Sequence, residues 1–231
     1  NQLIVITRAN NRVPIEEYPY QHELQNVEFI YYDCPPFIRR LKNKAQGLYL
    51  YYLCWQIGII PQIAKTLKGR SIDYTMHLSF GSMWMPTFLP IFNTPFIWGP
   101  IGGGDCEPLS FVRQHGLKQR VMQSARFTMN KFSFLIPTVL LASTRAKVII
   151  CRTENTQQAL PQWTRKKSRI MLETAMEGNV LDHKWKGHES YEVRFVTTGR
   201  LMASKNISTA IHALALLPVN MEWSYTIVVS G

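Results

Sequence analysis

Arg200 and Lys205 stand five positions apart in "TTGRLMASKNISTAIHALALL" (Thr197 to Leu217), directly after a β-like run and Gly199. Glycine permits a tight backbone turn, and the first turn of a helix presents unpaired N–H groups. Two cations at such a corner would attract a phosphate or a diphosphate. Two solvated surface charges would account for the same residues without any chemistry. A second stretch, "TPFIWGPIGGGDCEP" (Thr94 to Pro108), ends an apolar run in Gly-Pro, then Gly102, Gly103 and Gly104, then Asp105. Three glycines let a backbone approach a ligand closely and expose N–H groups at the carboxyl end of a strand, where open α/β sheets hold their ligands. A plain glycine-rich loop is the competing reading. The stretch is neither a GxGxxG fingerprint nor a phosphate-cradling GK[ST] loop.

Two further groups follow apolar runs. His77, in "IDYTMHLSFGSMW", is placed to meet a ligand or to pack as a bystander. Arg8, Asn10, Asn11 and Arg12 of "TRANNR" line the same cleft or form an ordinary polar loop. No Ser-His-Asp set is present, and the histidines and acids lack metal-ligand spacing. The basic stretches "RRLKNK" and "TRKKSR" come without a nucleic-acid module, so no nucleic-acid partner is expected. Cys34, Cys54, Cys106 and Cys151 form no CxxC pair, which predicts free thiols in a reducing compartment.

The elements that must position these residues alternate. Leu3–Ile6, Val27–Tyr32, Ser71–Ser79, "TPFIWG", "AKVIIC" and "SRIMLE" read as strands. Gly47–Lys68 reads as one long helix, Leu117–Phe134 as another, and "TENTQQAL" as a third. Strands alternating with helices predict a parallel α/β sheet with crossover helices. The polar run "EGNVLDHKWKGHESYE" separates a fresh β-α-β unit: strand Val193–Thr198, a helix near Ser204–Leu217, strand Trp223–Val229. The expected domains are 1–178 and 193–231, joined by a linker over 179–192. Hydrophobic residues make up 46% of 231, enough to bury a sizeable core. The formal net charge of +11 suits nucleic acid, anionic lipid or phosphorylated ligands, and composition alone does not choose among them. The aromatic-rich Tyr49–Trp55 between basic flanks predicts attachment to an anionic leaflet, and Gln56, Pro61 and Gln62 argue against a membrane span.

Taken together, "TRANNRVPIEE", "HLSFGSMWMPTFL", "PFIWGPIGGGDCEP" and "TTGRLMASKNISTAIHAL" resemble family-4 retaining glycosyltransferases of the GT-B fold, in order and spacing across nearly the whole chain. The resemblance implies a Rossmann-like acceptor-side domain and the start of a second Rossmann-like, nucleotide-sugar-binding domain. It implies that Arg200 and Lys205 grip the diphosphate of a nucleotide sugar at the turn after Gly199. Gly102, Gly103, Gly104 and Asp105 would line the acceptor wall, with His77 near the transferred sugar and Arg8 and Asn10 at the cleft. It implies a nucleotide diphosphate-sugar as substrate, no resident cofactor, no metal, and a glycan or lipid-linked acceptor. The setting would be polysaccharide or envelope glycan synthesis, in the cytoplasm or peripheral at the inner membrane face. By the same resemblance the first strand and its glycine loop would precede Asn1, and two donor-binding glutamates would follow Gly231. The chain alone is therefore expected to be inactive. A non-catalytic GT-B-like module that binds nucleotide or membrane is the alternative.

Overall fold

The computed structural model describes residues 2–43, 47–78, 80–112, 116–172, 192–199, 201 and 205–229. It divides into two compact units, Asn1–Ala175 and Met176–Gly231.

The first unit carries two parallel sheets. Strands β1 (Leu3–Arg8) and β2 (Val27–Tyr32) pair in register from Leu3 opposite Val27 to Arg8 opposite Tyr32. Between them run a 3-10 turn and the short helix α1 (Arg12–Glu16). After β2 come α2 (Pro36–Arg39), α3 (Gly47–Gly58) and α4 (Ile60–Leu67). The single long helix expected over Gly47–Lys68 is thus two. Pro61, in the first turn of α4, has no N–H to continue the ladder from α3, and Gly58 ends α3.

The larger sheet orders β3 (Thr75–His77), β4 (Phe96–Ile101), β5 (Ala146–Cys151) and β6 (Ser168–Ile170) side by side, all parallel. Helices α5 (Leu109–Val112), α6 (Leu117–Lys131) and α7 (Pro137–Arg145) lie between β4 and β5 in the chain, and α8 (Glu154–Ala159) follows β5. This is a parallel α/β layer of the Rossmann-like kind.

Its core forms where strand and helix apolar faces meet. Phe96, Trp98 and Ile101 of β4 and Ile149 of β5 are sealed by Val139 and Ala142 of α7, with Leu160 beyond α8. Each large side chain so buried contributes about 1.5–3 kcal/mol. A second core joins Tyr51, Trp55, Ile59 and Ile63 of the α3–α4 region to Ile6 and Tyr32 of the smaller sheet. Tyr51 and Trp55 are buried in this core and Tyr52 is buried beside it, because α3 must cover β2, while Tyr49 of the same aromatic stretch is exposed. Among the described residues no helix is long and apolar enough to cross a membrane.

In the second unit β7 (Val193–Thr198) and β8 (Trp223–Val228) pair in parallel, with α9 (Ile207–Leu214) as the crossover. The helix begins three residues later than expected. Residues 179–191 of the expected linker lie outside the described residues, as does Arg200.

Candidate functional site

Parallel strands deliver their following loops to one edge, and three of these loops interlock. Gly102 stands at the end of β4, donating its N–H to the Gly81 carbonyl (2.6 Å) and accepting from the Met83 N–H (2.9 Å). Ser82 and Gly102 form an isolated parallel bridge. The side chain of Arg152, one residue past β5, lies over both glycines, and any Cβ at Gly81 would collide with its guanidinium. Gly103 has φ 106°, a left-handed value, and its carbonyl accepts from the Trp84 indole N–H (2.9 Å).

Gly104 abuts the start of α8. A Cβ there would stand 2.6 Å from the Asn155 carbonyl oxygen and 2.7 Å from the Thr156 nitrogen, so only glycine fits. Its N–H donates to Thr156 Oγ1 (3.2 Å), which lies 2.9 Å from Thr153 Oγ1, which in turn reaches Asp105 Oδ2 (3.2 Å). One donor direction satisfies the chain: Gly104 N–H to Thr156, Thr156 O–H to Thr153, Thr153 O–H to the Asp105 carboxylate. Asn155 Nδ2 adds a second donor to Asp105 (3.3 Å). Thr153 also caps α8 by accepting from the Thr156 N–H. The expectation of exposed glycine N–H groups is therefore corrected. Those of Gly102 and Gly104 are engaged inside the protein.

His77 ends β3, paired opposite Trp98. Its Nε2 lies 2.7 Å from the Tyr52 hydroxyl and 3.4 Å from Gln56 Nε2, and Gln56 also donates to Tyr52 (2.9 Å). Burial pushes the imidazole down to about 4 and pushes the Tyr52 hydroxyl up. A neutral ring accepts the Tyr52 proton at Nε2 and keeps its own proton on Nδ1.

The smaller sheet ends in a second polar group that the sequence did not signal. Asp33, one residue past β2, accepts from the Tyr51 hydroxyl (2.5 Å) and the Cys34 N–H (2.8 Å) and pairs with Lys42 (3.4 Å). Burial pushes this carboxyl up, but Tyr51, the Cys34 N–H and Lys42 together outweigh it and hold it below its ordinary value. Lys42 also sits 4.2 Å over the Tyr51 ring, and Arg8, ending β1, adds its charge to the field at Tyr51. Asn10 is exposed in the turn after β1, while Asn11 donates to Thr7 (2.8 Å). Asp33 and Tyr51 lie 18 positions apart, and only the fold of α3 onto β2 joins them.

In the second unit the backbone leaves β7 through Gly199, whose N–H is donated to Val228 (3.0 Å) and whose φ is 145°. Among the described residues the nearest atom to a Cβ placed there is Lys205 Cε, at 4.0 Å. Asn206, in left-handed conformation (φ 47°), then turns the chain into α9. Gly199 and Lys205 are thus neighbours at the carboxyl end of a parallel strand, and Lys205 is exposed.

All four cysteines are free. Among the described residues no three His, Cys, Asp or Glu side chains converge as a metal site would need. No protein-family profile matches the chain, and no curated protein sequence matches it.

Proposed function

We propose that the chain is the acceptor-side domain and the opening of the donor-side domain of a retaining, GT-B-type glycosyltransferase. The enzyme moves a sugar from a nucleotide diphosphate-sugar to a glycan or lipid-linked acceptor, in polysaccharide or envelope glycan synthesis. The observation that carries the reading is the corner after β7. A positive-φ glycine lies beside a lysine at the mouth of a parallel β-α-β unit. As the bond to the anomeric carbon breaks, negative charge grows on the departing diphosphate. A fixed cation and the N-terminus of α9 stabilise that charge more in the transition state than in the ground state. Arg200 would add the second cation. The Gly102–Asp105 edge would form the acceptor-side wall, held rigid by α8 and Arg152.

The buried, hydrogen-bonded state of His77 favours a second reading, a GT-B-like module that binds nucleotide without transfer. The two separate in a donor screen on the polypeptide carrying residues 1–231, with release of nucleoside diphosphate as the readout. Release accompanied by a glycosylated acceptor of retained anomeric configuration supports the transferase. Binding without release supports the module, and neither would remove both.

A further inference from the structure

Helix α6 is built the wrong way round for a helix of a water-soluble surface. At 100° per residue, Leu117, Val121, Met122, Ala125 and Met129 share an arc of about 140°, while Gln119, Gln123 and Asn130 share the opposite side. In a surface helix the apolar arc faces the core. Here Leu117, Val121 and Met122 are 75%, 61% and 62% exposed, and no residue of the helix is buried. The three amide side chains are the partly covered ones. Asn130 donates to the Gly104 carbonyl (2.7 Å) and Gln123 to Glu107 (3.3 Å). The helix is therefore fastened to the protein by polar bonds and shows its apolar side outward. Phe132, which caps the helix, and Phe134 and Leu135, in the 3-10 turn that follows, are exposed as well.

The charges around that arc have one sign. Lys118 sits within it, Arg126 borders it on one side, and Arg120 and Lys131 lie toward the other. Residues 117–131 contain no Asp or Glu. Protein interfaces deplete lysine at their centres. By contrast, an apolar strip edged with long cationic side chains suits an acyl–headgroup boundary, where the stems lie along apolar surface and the heads meet phosphate. At 15 residues the helix is too short to span a bilayer.

We propose that the outward face of α6 docks in the plane of an anionic lipid surface. The inference is independent of sugar transfer and holds for either reading above. Docking would set the Gly104–Glu107 loop, bonded to Asn130 and Gln123, close to the headgroups.

The test is co-sedimentation of the chain with vesicles of phosphatidylcholine alone and with phosphatidylglycerol in equal part. The expected result is binding to the anionic vesicles, weakened about tenfold on the neutral ones and falling with salt. The pairs R120Q/R126Q and V121Q/M122Q should each lower partitioning about tenfold with an unchanged melting temperature, since all four side chains are exposed. The charge pair and the apolar pair act independently, so a folding defect in one leaves the other to decide. Wild-type protein that ignores anionic vesicles overturns the proposal, as does full binding by both variants. So does a concentration-dependent dimer, seen by light scattering and lost in V121Q/M122Q, in protein that binds no vesicles. The face would then belong to a second copy.

Discussion

Two glycine corners follow parallel strands in this protein, and they use glycine for opposite ends. At Gly102–Gly104 the missing side chains let protein approach protein. Arg152 lies over Gly102, the Trp84 indole reaches Gly103, and the start of α8 abuts Gly104. At Gly199 the nearest atom of the described residues to the missing side chain is Lys205 Cε, at 4.0 Å. The first corner is a packed joint closed by a hydrogen-bond chain that ends on Asp105. The second stands beside a cation, with none of the described residues packed against it. Three consecutive glycines are the louder signal in the sequence, yet it is the single glycine that none of the described residues packs against. What distinguishes them is whether the neighbouring loops carry atoms into the gap.

The largest expected effect falls on the open corner. Made in a full-length version of the enzyme, Lys205→Ala should lower turnover of a nucleotide diphosphate-sugar about a hundredfold with an unchanged melting temperature, the scale of losing one preorganised group that stabilises developing charge. Unaltered turnover would show that the lysine is a bystander.

Next is the packed edge under acid. Burial pushes His77 down to about 4, below its ordinary 6.5. Between those values the unfolded chain takes the proton and the folded chain does not. The contribution is complete above pH 6.5 and is lost as pH falls toward 4, by up to about 3 kcal/mol. Urea midpoints of wild type and His77→Gln between pH 7 and pH 4.5 check this, the variant lacking that part of the slope. Parallel curves would mean that His77 is open to solvent, and the contrast between the corners would narrow.

The glycines themselves give the sharpest pairing. Gly104→Ala drives a methyl into the Asn155–Thr156 backbone and should cost about 2 kcal/mol, the overpacking range for a joint that cannot yield. Gly199→Ala meets nothing closer than 4.0 Å among the described residues and carries the strain of its positive φ, about 1 kcal/mol. Denaturant melts of the two variants rank them, and equal costs would erase the distinction.

Much of the frame was legible in the sequence because apolar runs separated by polar loops leave few options. Val27–Tyr32, Ala146–Cys151 and Val193–Thr198 are strands at the expected residues, and the parallel order follows from the helices between them. The Gly47–Lys68 stretch misled because apolar density continues through the break at Gly58 and Pro61, and density carries no information on backbone direction. Of its aromatics Tyr51, Tyr52 and Trp55 are buried and Tyr49 is exposed, a division that composition does not reveal because it does not say which face a helix turns inward. The Asp33–Tyr51–Lys42 group was invisible for a related reason. Its members are polar residues of three different segments, and only the seating of α3 against β2 gathers them. Helix α6 was legible as a helix, but its inverted orientation depends on which side chains reach Gly104 and Glu107.

The central claim, that the corner at Gly199 and Lys205 receives a diphosphate, is tested most directly by calorimetric titration of nucleoside diphosphates into wild type and Lys205→Ala. The account predicts saturable binding that weakens with salt and drops about tenfold in the variant, as expected for one charge-assisted contact removed. Equal affinity in the two proteins, or no nucleoside diphosphate bound by either, would contradict it.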